Sequence, residues 1–255
     1  MRFASLGSGS SGNALVVEAN KTRVLLDCGF GLRETTRRLA RVGLAPQDLA
    51  GIVVTHEHSD HVGGVVKFAR KFHLPIWLTH GTLSVIRSQY ATLPVTHVID
   101  SHTRFHIGDV EVEPYPVPHD AREPAQYVFG NGARRLGVLT DAGCSTPHIA
   151  AILSGCDALV LECNHDVDML REGPYPPGLK QRVAGRFGHL DNAASAALLA
   201  SLDRSRLQHI IAAHLSQQNN TAARAQGALA GAMGCEVAWI GVAEQEMGFD
   251  WRQIA

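Results

Sequence analysis

At Ile52-Val53-Val54-Thr55 the chain runs from an apolar strand directly into His56-Glu57-His58-Ser59-Asp60-His61, which sets three imidazoles and the Asp60 carboxylate within six positions. As solvated loop residues these histidines would repel one another whenever protonated, so a bound cation accounts for them better. In a tight turn at a strand end, His56 and His58, two apart, point to one ion, while Asp60 and His61 turn toward a second. Neutral imidazole together with carboxylate suits Zn, Mn or Fe. One turn cannot fill the coordination of two ions, so the fold must bring further ligands to the same place from strand ends or loops. Three residues qualify: His119 after Tyr115-Pro116-Val117-Pro118, Asp141 at the end of Leu136 to Thr140, and His214 closing Ile210-Ile211-Ala212-Ala213.

The surrounding pattern says what kind of fold does this. Ala14 to Glu18 and Arg23 to Asp27 are rich in Val and Leu and flank the turn-like Ala19-Asn20-Lys21, which predicts a hairpin of buried strands. Leu32, Thr36, Leu39 and Val42 recur at helical spacing, with Gly43 placed to end the helix. Val62, Val65, Val66 and Ala69 mark another helix after the histidine turn. From Val98 to Leu139 the chain is strand-rich, with turns at Ile107-Gly108-Asp109 and Gly130-Asn131-Gly132. Helices are expected at Pro147 to Leu153, Asn192 to Leu202 and Ala222 to Met233, and strands near Ala158 to Leu161, Ile210 to Ala213 and Val237 to Ile240. Two sheets packed together with helices outside, a four-layer αββα sandwich of the α/β class, satisfies this order. Gly173-Pro174-Tyr175-Pro176-Pro177-Gly178 reads as an exposed loop rather than a linker, so residues 1–255 are taken as one domain.

The formal net charge of -1 offers no global attraction to a polyanion or an acidic membrane; a nucleic-acid partner would need a local basic patch. Lys180, Arg182 and Arg186 form a modest basic stretch, able to follow a phosphate backbone or simply to be a solvated face. The five cysteines, an odd number without a Cys-x-x-Cys pair, read as reduced residues of a cytoplasmic protein. The N-terminus lacks the apolar run of a secretory signal, and no apolar run approaches membrane-spanning length.

Thr55-His56-Glu57-His58-Ser59-Asp60-His61 resembles the Thr-His-x-His-x-Asp-His signature of the metallo-β-lactamase superfamily, and His119, Asp141 and His214 follow in that superfamily's order. The resemblance implies that His56, His58 and His119 hold one divalent ion, that Asp60, His61 and His214 hold the other, and that Asp141 bridges them. Asp27, in Leu26-Asp27-Cys28-Gly29, matches an aspartate that supports the site from behind the ligands. A narrower likeness is carried by Ser8-Gly9-Ser10-Ser11-Gly12-Asn13, Glu162-Cys163-Asn164-His165-Asp166, Gly188-His189-Leu190-Asp191-Asn192 and His214-Leu215-Ser216-Gln217-Gln218-Asn219-Asn220, which are similar to the YycJ, or WalJ/VicX-like, group. That group implies 5′ to 3′ exonuclease activity on DNA. Asp191 stands where the group usually has Ser or Thr, placing an extra negative charge beside a phosphate site.

What the resemblance implies is a dinuclear phosphodiesterase using zinc or manganese, with iron as the other option. A metal-bound hydroxide would attack phosphorus while the metals neutralise charge on the oxygens. Asp60 and Asp141 would hold that geometry. His189, just ahead of the helix near Asn192, would contact the phosphate or protonate the leaving oxygen, unless it is a surface histidine beside a helix cap. The Ser8 to Asn13 loop, through Ser10 and Asn13, would present amides to a terminal phosphate or serve as a plain turn. Asn164, His165, Asn192 and Asn219 would orient ligands, bind phosphate or cap loops and helices. Two other readings remain open: a thiolester or lactone hydrolase of the glyoxalase II kind, and a metal-bearing regulatory protein without turnover.

Overall fold

The computed structural model describes residues 1–255. Its strands divide into two seven-stranded sheets, each following the order of the chain. The first contains β1 (Arg2–Gly7), β2 (Ala14–Ala19), β3 (Thr22–Leu26), β4 (Gly51–Val53), β5 (Ile76–Thr79) and β6 (Thr96–Ile99). The second contains β7 (Phe105–Ile107), β8 (Val110–Pro116), β9 (Ala125–Gly130), β10 (Arg135–Leu139), β11 (Ala158–Glu162), β12 (His209–Ala213) and β13 (Gly241–Val242). The last strand, β14 (Phe249–Gln253), returns to the first sheet and pairs antiparallel with β1. Each sheet opens as an antiparallel meander and changes to parallel pairing, at β3 with β4 and at β10 with β11.

The change of direction demands crossovers, and the helices supply them. On the first sheet these are α1 (Leu32–Arg41), α2 (Ser59–Val62), α3 (Val65–Phe72) and α4 (His80–Gln89); on the second, α5 (Pro147–Leu153), α6 (Val167–Glu172), α7 (Pro177–Val183), α8 (Asn192–Ser201) and α9 (Ala222–Met233). Strand β2 shows how the layers arise. All six of its residues are buried: Leu15 and Val17 face the core between the sheets, and Ala14 and Val16 face the core under the helices. A strand covered on both faces is apolar throughout rather than alternating. A third core, including Leu159, Leu161, Leu198 and Leu229, lies between the second sheet and its helices. Three cores between four layers make the αββα sandwich.

Two local expectations need correction. Val237 to Ile240 is not a strand: Val237–Trp239 forms a 3₁₀ turn and the sheet residues are Gly241–Val242. Val237 and Trp239 are exposed, so their β-type side chains find no sheet to pack against, which is what β propensity measures. The Gly173 to Gly178 stretch is only partly loop, because Pro177 starts α7 and Gly178 lies within it; proline suits the first helical position, where its missing N–H costs nothing. No helix is long and apolar enough to cross a membrane.

Candidate metal centre

The candidate ligands, and Asp27 behind them, all lie beyond C-terminal strand ends, most of them on strands of the parallel halves of the two sheets. Asp27 follows β3, the histidine turn follows β4, His119 follows β8, Asp141 follows β10 and His214 follows β12. Two of the four non-glycine residues with positive φ are among them, Asp27 at 58° and His214 at 53°. Left-handed backbone costs a side-chain-bearing residue roughly 1–3 kcal/mol and persists where surrounding bonds over-determine it. Those bonds are present. Thr55 N and Thr55 Oγ1 donate to the two oxygens of Asp27 at 2.8 and 2.9 Å, and His214 N donates to Ser8 Oγ at 2.9 Å.

The imidazoles gather in two sets. His56 Nε2 lies 3.0 Å from His58 Nδ1, and His119 Nε2 lies 3.2 Å from the same atom. On the other side Asp60 Oδ2 is 3.4 Å from His61 Nε2 and 3.5 Å from His214 Nε2. Asp141 stands between, with Oδ2 at 3.1 Å from His61 Nε2 and Oδ1 at 3.8 Å from His119 Nε2. All of these except His58 and Asp60 are buried.

Which ring nitrogen faces inward is set by what the other one bonds. His119 Nδ1 donates to Gly188 O at 2.9 Å, and His214 Nδ1 donates to Thr140 O at 2.6 Å. His61 Nδ1 donates to Asp27 Oδ2 at 2.7 Å. Thr55 Oγ1, whose proton goes to Asp27, accepts from His56 Nδ1 at 2.9 Å. Four Nε2 atoms therefore point inward, where a bound cation would take their lone pairs.

Three ring nitrogens at 3.0 and 3.2 Å match the roughly 3.3 Å edge of a tetrahedron with metal–nitrogen bonds of about 2.0–2.1 Å. Asp141 Oδ2 is buried without any hydrogen-bond partner, an arrangement that is costly for a carboxylate unless a cation completes it. The donor set thus fits divalent metal, and the clusters His56, His58, His119 and Asp60, His61, His214 are arranged to bind it. Burial pushes the Asp141 carboxyl up, but His214 and His61 outweigh this and hold it well below the usual carboxylate range.

Two further acidic residues belong here that sequence reasoning left unassigned. Glu162, at the end of β11, is fully buried. Its Oε1 accepts from His189 Nδ1 at 2.7 Å, and its Oε2 accepts from Ala142 N and Leu190 N. Burial lowers the His189 imidazole, but the Glu162 carboxylate more than compensates and leaves it above its ordinary value. Asp120, next to His119, accepts from Arg182 Nε at 2.5 Å. A charged residue closing the apolar run Ala158 to Leu161 was the available signal for Glu162, since buried charges are normally paired.

The cluster opens into a cleft of about 340 Å3, lined by Ser10, His58, Asp60, Asp120, Asp141, Arg182, His189 and His214 among others. Ser10 stands on its rim. Asn13 lies behind, donating to Asp60 Oδ2 at 3.2 Å. Asn164, His165, Asn192 and Asn219 are buried and do not line the cleft. Asn164 Nδ2 donates to His214 O at 3.0 Å, Asn192 exchanges amide hydrogen bonds with Asn220, and Asn219 N donates to Ser216 Oγ. His165 O accepts from Asn192 N. These residues tie together the loops after β11 and β12. Asp191 accepts from Ala194 N at 2.8 Å as the N-cap of α8, a task that Ser, Thr and Asp side chains share. Its charge is turned to the helix end and lies outside the cleft lining. Of the basic stretch, Arg182 alone reaches the cleft.

Comparison with known proteins agrees with this picture. Residues 22–210 match the model of the beta-lactamase superfamily domain. The chain is 37% identical over 225 residues to exodeoxyribonuclease YycJ of Bacillus anthracis, covering 86% of this chain and 84% of that protein. It is 34% identical over 223 residues to exodeoxyribonuclease WalJ of Streptococcus pneumoniae, covering 86% and 83%. Two solved structures share the fold: Zn(2+)-bound PqqB from Methylobacterium extorquens, with a TM-score of 0.76 at 16% identity over 99% of this chain and 100% of that one, and the metallo-beta-lactamase fold protein YhfI from Bacillus subtilis, with 0.74 at 13% identity over 99% of each. With its two-sheet sandwich, its convergent histidines and aspartates, and relatives matched over most of both lengths, the chain belongs to the metallo-β-lactamase superfamily and, within it, to the family of the YycJ and WalJ exodeoxyribonucleases.

Proposed function

We propose that this protein is a metal-dependent exonuclease that degrades DNA from the 5′ end, with two divalent ions, zinc or manganese, held by His56, His58 and His119 on one side and Asp60, His61 and His214 on the other. The observation that carries the reading is the convergence of these side chains around Asp141, whose buried Oδ2 has no hydrogen-bond partner in the protein. Exodeoxyribonuclease relatives at 37% and 34% identity support DNA as the substrate. Divalent ions in such a site polarise a phosphoryl oxygen and lower the pKa of a coordinated water.

The chain's own groups do the rest. Asp141 faces both ligand sets and holds them in register. His189 lines the cleft with Nδ1 taken by Glu162, which leaves Nε2 to donate a proton to the leaving oxygen, the role of a general acid. Glu162 fixes that ring and raises its hold on a proton. Asn13, Thr55 and Asp27 bond the ligand residues rather than the substrate. The five cysteines are free thiols, which suits a reducing compartment, and a cytoplasmic location is part of the same proposal.

Elemental analysis of the purified protein, followed by digestion of DNA labelled at either end and of S-lactoylglutathione in parallel, tests this directly. The expected result is two ions per chain and early loss of a 5′ label. Turnover of the thiolester with intact DNA would replace the reading with thiolester hydrolysis.

A further inference from the structure

Three carboxylates, Asp60, Asp120 and Asp141, line the cleft, and Arg182 is the single lysine or arginine that does so. Arg182 donates through Nε to Asp120 Oδ2 at 2.5 Å. Its terminal amino groups make no bond to the protein, and the side chain is 60% exposed. Asp120 in turn stands against the ligand cluster, with Oδ1 at 3.5 Å from His119 Nε2 and 3.8 Å from His58 Nε2. The guanidinium is thereby fixed beside the metal centre by one of its five donors, with its terminal amino groups still available. A planar fork of that kind matches phosphate oxygens, and its order is set in advance. Lys180, on the same helix, is turned away to Arg171 O at 2.6 Å.

We infer that Arg182 is the phosphate-recognition residue of this cleft, poised by Asp120, and that it selects a phosphate ester over a neutral ester at the same metal centre. The inference rests on the nuclease reading above. The competing account is a latch: α7 has no buried residue, and the ion pair would simply hold that helix in place. An exposed ion pair contributes little to stability, which makes the latch a weak reason for the arrangement. The two accounts also predict different things for the two partners.

Arg182→Ala, Arg182→Lys and Asp120→Asn are compared with the parent at saturating metal, with metal content measured for each. The substrates are DNA ends bearing either a 5′-phosphate or a 5′-hydroxyl. Removing the guanidinium should raise KM at least about tenfold with kcat little changed. It should also reduce the salt slope of DNA binding by about 0.7 to 0.9, the contribution of one phosphate contact. Lysine should restore part of the loss. Asp120→Asn keeps the guanidinium but loosens its anchor, so KM should rise by less than in Arg182→Ala and the salt slope should stay that of the parent. An effect on 5′-phosphorylated ends alone identifies the terminal phosphate as the partner; an equal effect on both ends identifies a phosphodiester of the strand. If Arg182→Ala and Asp120→Asn impair binding alike, or if Arg182→Ala changes neither KM nor salt slope, the assignment fails while the nuclease reading stands. A parent protein that leaves DNA intact removes both.

Discussion

The inner and outer walls of the cleft are built by opposite means. The inner wall is the ligand cluster: rings and carboxylates buried except for His58 and Asp60, with His56, His61, His119 and His214 tied from behind by a hydroxyl, an acid or a backbone carbonyl, on loops that leave the sheets with Asp27 and His214 in left-handed backbone. The outer wall is α7, which contributes Leu179, Arg182 and Val183 to the cleft, contains no buried residue and reaches Asp120 through one ion pair. Chemistry that depends on ångström-level geometry sits where His56, His61, His119 and His214 each have a second bond to hold the ring. The outer wall holds Arg182 in place through Asp120 and has no buried side chain to anchor the rest of α7. The contrast explains why the metal ligands are dense in the polypeptide's strand ends and the substrate contacts are sparse.

Four substitutions would break or sharpen this contrast. Asp141→Ala removes the carboxylate facing both ligand sets; activity should fall to background and elemental analysis should show metal lost, whereas full metal occupancy would mean that the two sets do not depend on it. Asp27→Asn alters the group that orients His61 and should weaken metal affinity by roughly 10- to 100-fold, read by competition with a chelator. Gly29→Ala probes the backbone of the inner wall. A Cβ there would collide with the backbone carbonyl of Asp60, and such overpacking costs about 1–3 kcal/mol, visible as a lower urea midpoint. Leu179→Ala on the outer wall removes an exposed side chain, and the change in stability should stay within about 0.5 kcal/mol. An unfolding shift at Leu179 as large as that at Gly29 would show that α7 is as firmly held as the ligand loops.

Legibility in the sequence followed the same division. His56, His58, Asp60 and His61 stood out because six adjacent positions carried a density of ligand types that packing does not produce, and His119, Asp141 and His214 stood out because each follows a run of strand-forming residues. Glu162 escaped notice because its pairing with His189 joins residues 27 positions apart. Asp120 and Arg182 meet across 62 positions, and no local pattern marks either as a partner of the other. The asparagines of the later segments were recognised as a group, but their task of knotting the β11 and β12 loops together emerged only from their burial and hydrogen bonds. Val237 and Trp239 misled because β-type side chains announce a strand only when a sheet is there to receive them.

From the order of its residues alone, this polypeptide determines two things: strands long and apolar enough to be covered on both faces, and ligand types placed at their ends. Those properties depend on neighbours along the chain, through side-chain period and turn chemistry. Tertiary structure alone decided which nitrogen of each imidazole turns inward, which acid anchors His189, and which basic residue reaches the cleft. Each of those choices is a hydrogen bond or an ion pair between segments far apart in the chain, and such bonds exist only once the two sheets have stacked and their crossovers have brought the loops together.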